Sequence, residues 1–435
     1  MPDLSAGDTA WVLTSAALVL LMTPGLAFFY GGMVRSKAVL NMLMMSFLSL
    51  AIVPVVWVLW GYSLAFDGSN GGIVGGLGMI GLDGIGVESA DVLGNVPDFA
   101  FVAFQAVFAI ITVALISGAI AERATFLGWS IFIVLWATIA YFPVANWVWG
   151  GGWIAELGAI DFAGGTVVHI NAGAAGLALA LVLGKRVGWP KTPMRPHNLP
   201  FVMLGAGLLW FGWFGFNAGS AVAADGIASA VWVNTLVATS AAILGWLLVD
   251  VVKNGHSTTL GAASGAISGL VAITPACAFV SPIGAIIIGL VAGAVCALCV
   301  SLKYRWNYDD SLDVVAVHLV GGIVGTLMIG FLATESFTGD PELEGLFYGG
   351  GLELLGKQAL AAAVVIVFSF VVAYALGLLI QRTVGFRVSE ETEVTGIDLE
   401  QHLEAGYELT PATGPSRGHA VASASTTQEP GSVNQ

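Results

Sequence analysis

Eleven long apolar segments constrain this chain more than any other feature of its sequence. Each has roughly the twenty residues that an α-helix needs to cross about 30 Å of bilayer hydrocarbon. Hydrophobic residues make up 57% of the 435 residues, charged residues only 10%, and mean hydropathy is +0.89, which leaves too little charge for a soluble surface. We therefore predict an all-α polytopic membrane protein with transmembrane helices near residues 8–34, 41–66, 98–121, 127–147, 164–184, 199–218, 227–252, 259–275, 282–302, 312–334 and 355–381.

The basic residues predict the orientation of these helices. Of the fourteen Lys and Arg, all but Lys357 follow an odd-numbered predicted helix. Because basic loops stay on the cytoplasmic side, the N-terminus is predicted outside and the C-terminus in the cytoplasm. The expected location is the plasma membrane, with membrane lipid around the bundle.

We divide the chain into an eleven-helix domain (1–381), a cytoplasmic regulatory segment (382–410) and a disordered tail (411–435). Residues 389–435 carry eight acidic residues against one basic residue, and the net charge of the chain is −14. This acidity argues against binding of nucleic acid and against a polybasic tail that binds lipid. The last 25 residues are small and polar, which is typical of disorder.

Two histidines occur in matching contexts. His169 in Asp161–Gly176 and His318 in Asp313–Gly325 each belong to a Val-His-x-x-x-Gly-x-x-Gly motif. They lie on the fifth and tenth predicted helices, so a five-helix unit occurs twice and its second copy is inverted in the membrane. Inverted repeats place a substrate site near the midplane at the repeat interface. We expect the histidines to face each other there, while the eleventh helix braces the bundle.

Two facing histidines can form a lane for a small polar solute. Neutral imidazoles in contact through one nitrogen each leave their outer nitrogens free to give and accept hydrogen bonds. The same pair could relay a proton. A metal site is disfavoured because no third ligand stands at metal spacing, and no GxxxxGKS phosphate loop is present. We predict neither an enzyme nor a bound cofactor.

An aromatic site is the second candidate. Trp149 lies at the outer end of the fourth predicted helix and Ser220 follows the sixth, and an indole face beside a hydroxyl suits a small cation. A hydrophobic constriction could form deeper in the membrane from Phe104, Phe108 and Phe216. Composition alone does not select the four aromatic residues from 14 Trp and 23 Phe, nor Ser220 from the other serines.

Two aspartates precede the histidine helices. Asp161 and Asp313 are interpreted mainly as helix caps, since Asp commonly begins helices. Asp161 could also lend negative potential to the cation site, whereas Asp313 is assigned a structural role only.

Several long motifs resemble one family. They are DFAGGTVVHINAGAAGLALALVLGKRVG, PHNLP, WFGWFGFNAGSA, LGAASGAISGLVAITPA, the segment Asp310–Gly325 and TVGFRVSEETEVTGIDLEQH. In this order they resemble the ammonium transporter/methylammonium permease/Rhesus family, on its ammonium transporter branch, as far as residue 408. The resemblance implies a homotrimer with one pore per subunit.

The resemblance also implies roles for single residues. Trp149 and Ser220 would recruit ammonium together with Phe108, supported by Asp161, and Phe108 and Phe216 would form the gate. Ammonium would lose its proton near this gate, and ammonia would pass His169 and His318 with net charge movement. The tail would contact a neighbouring subunit beside a surface for cytoplasmic PII-type signalling proteins.

Four other functions remain open from the sequence, one of them sodium-coupled transport, for which no broken-helix sodium site stands out. An electroneutral ammonia channel of the Rhesus type differs only in charge movement. An ammonium sensor would report occupancy through the tail, although residues 411–435 contain no signalling domain. An intramembrane metalloenzyme is least favoured, for want of ligands.

Overall fold

The computed structural model describes residues 4–407, which form an all-helical bundle. Ten of its helices are long and apolar enough to cross a membrane, and one further apolar helix has 15 residues. In chain order the eleven are α1 (Ala6–Met33), α2 (Ser36–Phe66), α3 (Asp98–Ile120), α4 (Phe126–Leu157, interrupted at 150–152), α5 (Gly165–Leu183), α6 (Leu199–Gly219), α7 (Gly226–Asn254), α8 (Thr259–Ile273), α9 (Pro282–Trp306), α10 (Val315–Leu332) and α11 (Glu353–Thr383). Every apolar segment predicted from the sequence has a helical counterpart. The tail predicted to be disordered, 411–435, lies outside the described residues.

Side-chain caps set where many of these helices begin. A helix N-terminus leaves backbone N–H groups without intrahelical partners, and short polar side chains supply the missing acceptor. In six helices the capping side chain accepts from the N–H three residues later; the caps are Ser5, Thr125, Asn198, Asp225, Thr258 and Ser281. These six apolar segments thus enter their helices at a residue that the local sequence defines.

Glycines let α1 and α6 cross at close range. A Cβ on Gly205 would lie 2.3 Å from the backbone nitrogen of Phe29, and one on Gly215 would lie 2.6 Å from the Cβ of Leu18. Neither space holds a side chain, so the two backbones approach as glycine allows in membrane helices. These are the helices that begin the two halves of the predicted repeat.

The histidine helices α5 and α10 cross in the same manner. A Cβ on Gly173 would lie 2.4 Å from the backbone nitrogen of Leu319, and one on Gly322 would lie 3.2 Å from the Cβ of His169. Each glycine stands four residues after the histidine of its own helix. The sequence motif therefore contains both the polar residue and the small residue through which its partner helix approaches.

One end of the bundle, here called the basic face, carries a buried ion network. Glu122 binds Arg35 at 2.8 Å and Arg186 at 3.1 Å, and Arg186 also binds Asp309 at 2.8 Å. Burial alone would raise the pKa of Glu122, but Arg186 and Arg35 hold it below its ordinary value of 4.5. The loops after α1, α3, α5 and α9 are thereby joined into one layer.

The segment after α11 docks on this basic face. It contains two short helices, α12 (Glu390–Thr395) and α13 (Ile397–His402). The Asp398 carboxylate accepts the backbone N–H groups of Leu40 at 2.9 Å and Asn41 at 2.8 Å, near the start of α2.

A second contact anchors the same segment. Arg387 pairs with Glu393 at 2.5 Å and donates to the carbonyl of Leu183 at 2.7 Å, at the end of α5. Glu393 in turn accepts the N–H of Val187 at 2.9 Å. The segment therefore touches the helix that carries His169.

Candidate functional site

A cavity of about 420 Å³ opens at the end of the bundle opposite the basic face. Its walls come from α3, α4, the end of α6 and the loop 67–97. Four residues singled out in the sequence line it, namely Trp149, Ser220, Phe104 and Phe108. The structure thus brings together residues that lie far apart in the chain, and we call this space the aromatic cavity.

Hydrogen bonds orient the two polar groups of the aromatic cavity. The indole Nε1 of Trp149 donates to the backbone carbonyl of Asp161 at 2.9 Å. The hydroxyl of Ser220 donates to the carbonyl of Phe216 at 2.8 Å. Because a hydroxyl has one hydrogen and two lone pairs, Ser220 keeps acceptor capacity beside an indole ring.

Stacked phenylalanines close the floor of the aromatic cavity. The rings of Phe108 and Phe216 are 4.2 Å apart and 25° from parallel, and both side chains are buried. Phe104 lies 4.8 Å from Phe108, while Trp149 meets Phe108 edge-on at 6.0 Å. A stack at this distance leaves no room for a solute between the rings.

The two histidines lie beyond this stack and touch each other. Their Nδ1 atoms are 3.4 Å apart, and both residues are buried. The ring of His169 is 6.1 Å from Phe216 and 5.5 Å from Trp213, at small interplanar angles. The Nε2 atom of His169 is buried and has no hydrogen-bond partner among the described residues. That atom is available to a solute.

Both histidines lie on π-helical turns, Gly165–Ile170 and Val315–Val320. Such turns widen a helix locally and recur at functional sites. They change the direction in which side chains leave the helix, and here they direct two rings toward one another. No sequence pattern indicated them.

Asp161 acts through the start of α5. Its carboxylate accepts the N–H groups of Gly164 at 2.8 Å, Gly165 at 2.7 Å and Thr166 at 2.7 Å, and also the Thr166 hydroxyl. The predicted capping role of Asp161 is therefore confirmed. Its contact with Trp149 is made by the backbone carbonyl, while the carboxylate is committed to the helix.

The capping prediction for Asp313 is wrong. Its carboxylate binds Lys303 at 2.6 Å, and Asp310 accepts the N–H of Val315 at 2.8 Å instead. The spacing of Asp161 to His169 equals that of Asp310 to His318, so Asp310 is the true counterpart. Burial raises the pKa of Asp310. Asp313 has a positive φ of 63°, and its backbone carbonyl, not its carboxylate, takes part in the start of the helix by accepting the N–H of Val317 at 2.9 Å.

Sequence reasoning missed three residues of this region. Gln105 lines the aromatic cavity, and it is the sole polar residue in the stretch 99–111, which was a usable signal. The equal spacing of Asp310 and Asp161 was another. Trp213, which stacks on His169, had no signal, because it is one of 14 Trp.

A file of rings thus leads from a cavity at one face of a membrane bundle to two buried histidines. The fold and the site define a multi-pass membrane protein with a candidate solute path between its helices.

The chain belongs to the Ammonium Transporter Family, whose model matches residues 10–407. A protein named "Ammonium transporter" from Mycobacterium tuberculosis (strain ATCC 25618 / H37Rv) is 56% identical, over 95% of this chain and 92% of its own length. A protein of the same name from Bacillus subtilis (strain 168) is 51% identical, over 92% of this chain and 98% of its own length. The resemblance inferred from the motifs is confirmed, and the protein is a multi-pass protein of the plasma membrane.

Solved structures agree with the fold. The crystal structure of Candida albicans Mep2 matches with a TM-score of 0.82 at 36% identity, over 89% of this chain and 88% of that one. A structure described as "Sensor Amt Protein" matches with a TM-score of 0.84 at 29% identity, over 91% of this chain and 98% of that one.

Proposed function

We propose that this protein transports ammonium across the plasma membrane, with net movement of charge. The observation that carries the proposal is the continuous file of rings from Trp149 through Phe108 and Phe216 to His169 and His318, whose successive centroids lie 4.2 to 6.1 Å apart. Membership of the Ammonium Transporter Family supplies the substrate.

Recruitment takes place in the aromatic cavity. Ammonium is a small cation with four N–H donors, so it is attracted to the π faces of Trp149 and Phe108 and donates to the Ser220 hydroxyl. Each cation–π contact is worth about 0.5–2 kcal/mol, depending on how much water is excluded. Asp161 supports this site by fixing Trp149 through its carbonyl.

The Phe108–Phe216 stack, lined on one side by Phe104, acts as the gate. A hydrated cation cannot pass two rings that are 4.2 Å apart, so passage requires one ring to rotate. Beyond it the surroundings are apolar, and a charge there is costly. Ammonium therefore gives up one proton at the gate, which breaks one N–H bond and leaves neutral ammonia.

Ammonia then moves past the histidines. Each imidazole offers one donor and one acceptor, so an ammonia molecule is hydrogen-bonded at each ring without carrying charge. The free Nε2 of His169 is the first partner it meets. Nε2 of His169 accepts the proton released at the gate, the Nδ1 proton of His169 passes to Nδ1 of His318, and the Nε2 proton of His318 leaves on the far side, so the charge crosses separately from the nitrogen.

The finer architecture belongs to the same proposal. We infer that α8 also spans the membrane, giving eleven spans, and that α1–α5 and α6–α10 are inverted repeats with α11 as a brace. The N-terminus lies outside and the basic face in the cytoplasm. Maleimide labelling of cysteines introduced at Ser69 and Lys191 tests this orientation, since an impermeant reagent should reach only the first in intact cells.

We further infer a homotrimer whose docked C-terminal segment meets a cytoplasmic PII-type protein. Support comes from the position of α12 and α13 on the basic face. Purified protein should retain the PII protein of the same organism in a pull-down, differently with ATP and with 2-oxoglutarate. No binding in either condition contradicts the partner, and a native mass other than three chains contradicts the trimer.

The transport proposal is tested with purified protein in liposomes on a solid-supported membrane. An ammonium jump should give a transient current in wild type that is lost in His169→Ala/His318→Ala. His256→Ala, at an exposed loop histidine, is the matched control and should keep the current. If no current appears but ammonia still enters by a pH-dye assay, the protein is an electroneutral channel. If neither signal appears, transport is refuted.

A second candidate is ammonium sensing, favoured by the likeness to the "Sensor Amt Protein" and by the tail docked against the end of α5. In this case cells with the double histidine variant would still respond to ammonium. Loss of both uptake and response in the variant would favour transport alone.

A further inference from the structure

The proposed function uses the ring of His169 but leaves unexplained what fixes its plane. Trp213 stacks on this ring at 5.5 Å and 23°, on α6 one turn before Phe216. It is 2% exposed, and its large rigid surface covers one side of the imidazole. The orientation of the indole therefore sets the space in which the imidazole can turn.

A buried chain of hydrogen bonds holds this indole. Trp213 Nε1 donates to the hydroxyl of Thr274 at 2.9 Å, and that oxygen lies 3.2 Å from Oδ1 of Asn217. Asn217 Nδ2 donates to the hydroxyl of Thr235 at 3.0 Å, which donates to the carbonyl of Val231 at 2.8 Å. The chain ties α6 to α7 and to the residue that follows α8.

Chemistry determines the direction of the bond between Trp213 and Thr274. An indole can only donate, so Thr274 must accept from Trp213 and has a single hydrogen left to give. That hydrogen goes to Asn217 or to the carbonyl of Leu270, which is 2.7 Å away. Thr274, Asn217 and Thr235 are all fully buried, so no water competes for them at this position.

Such support is not automatic for a buried tryptophan in this protein. The indole nitrogens of Trp136 and Trp210 are buried without a hydrogen-bond partner among the described residues. The indole N–H of Trp213, in contrast, is hydrogen-bonded, and the face of its ring lies against His169. Because both its N–H group and its ring face have fixed partners, the indole can adopt only a restricted set of orientations.

We propose that Thr274 and Asn217 are positioning residues that hold the Trp213 indole against His169 and so fix the imidazole plane that faces the solute. This deepens the proposed transport function and rests on it. An imidazole free to rotate would present Nε2 in varied directions. Passage of ammonia would slow, and discrimination against the larger methylammonium would weaken.

The test compares Thr274→Val, which removes the hydroxyl at nearly equal volume, with Thr274→Ser, which restores it. Thr239→Val is the matched control, because the Thr239 hydroxyl is equally buried and, among the described residues, bonds only to its own helix, at Thr235 O. Thr274→Val should lower the maximal current about tenfold with a nearly unchanged half-saturating ammonium concentration, a loss of the kind that removing a rate-determining contact gives. Thr274→Ser should recover most of it, and Thr239→Val should keep it.

A readout that does not depend on transport separates this proposal from the function on which it rests. In ¹⁵N-indole spectra, with the Trp213 signal identified by Trp213→Phe, the N–H resonance should shift in Thr274→Val and stay unchanged in Thr239→Val. A shifted resonance with wild-type current and unchanged methylammonium discrimination refutes the positioning role. An unshifted resonance refutes the hydrogen bond itself. If wild type carries no ammonium while the resonance shifts, the transport proposal has failed and the positioning role fails with it.

Discussion

The crossing of α5 and α10 at Gly173 gives the sharpest prediction. A Cβ added there would lie 2.4 Å from the backbone nitrogen of Leu319, against the 3.4 Å at which ordinary contact begins, so it falls 1.0 Å short. The obstacle is backbone, which cannot rotate away as a side chain can. Gly173→Ala must therefore push α10 outward by about 1 Å.

This displacement acts directly on the histidine pair. Leu319 follows His318 in the chain, and the two Nδ1 atoms are already 3.4 Å apart, close to the limit for a hydrogen bond. Overpacking costs about 1–3 kcal/mol, while replacing a helical glycine by alanine returns about 1 kcal/mol. We expect a net destabilisation of up to about 2 kcal/mol and a nearly complete loss of ammonium current.

Two matched variants make the prediction quantitative. A Cβ on Gly322 would lie 3.0 to 3.2 Å from its nearest neighbours, and a shift of a few tenths of an ångström would relieve this contact. Gly322→Ala should therefore give an intermediate loss of ammonium current. Gly207 is exposed on α6, and a Cβ there would have no described atom beyond its own helix backbone within 4 Å, so Gly207→Ala gains helix propensity alone and should transport as wild type. Current on a solid-supported membrane and melting temperature in detergent are measured for all three. A Gly173→Ala protein with wild-type current would refute the idea that close crossing aligns the histidines.

Three further predictions follow from single contacts. Glu122→Gln should destabilise the basic face by about 3 kcal/mol, the low end for breaking a buried pair, because Arg186 keeps Asp309. Since the pKa of Glu122 lies below 4.5, its contribution is present above that pH and lost below it. The wild-type melting temperature should then fall more steeply on acidification than that of the variant, and parallel curves would count against the network. Trp149→Ala should raise the half-saturating ammonium concentration about tenfold through loss of cation–π attraction, and an unchanged value would exclude recruitment there. Arg387→Gln should free the docked C-terminal segment, seen as faster trypsin cleavage near residue 382, and equal cleavage rates would contradict the Arg387–Glu393 anchor.

The sequence by itself determined the helical class of the protein, and the reason is local. Whether a segment enters the membrane depends on its own apolar length, and whether a helix starts depends on a cap such as Ser5 or Thr258 a few residues away. The histidine motifs were equally readable, because a polar residue in an apolar segment is costly wherever the helix lies. The motif glycines Gly173 and Gly322 were visible as well, although their use as the crossing point was not.

Tertiary structure alone decided how these parts meet. Trp213 could not be told from the other Trp in the sequence, since its importance comes from a ring plane against His169 and a bond to Thr274, 61 residues away. The capping side chain of α10 was assigned to Asp313 because proximity in sequence favoured it, but Lys303 binds that carboxylate and the carboxylate of Asp310 accepts the helix N–H instead. Which rings stack and which ions pair depends on how closely helices pack that are far apart in the chain. This packing distance is set only in the folded protein, where small residues allow the helices to approach each other.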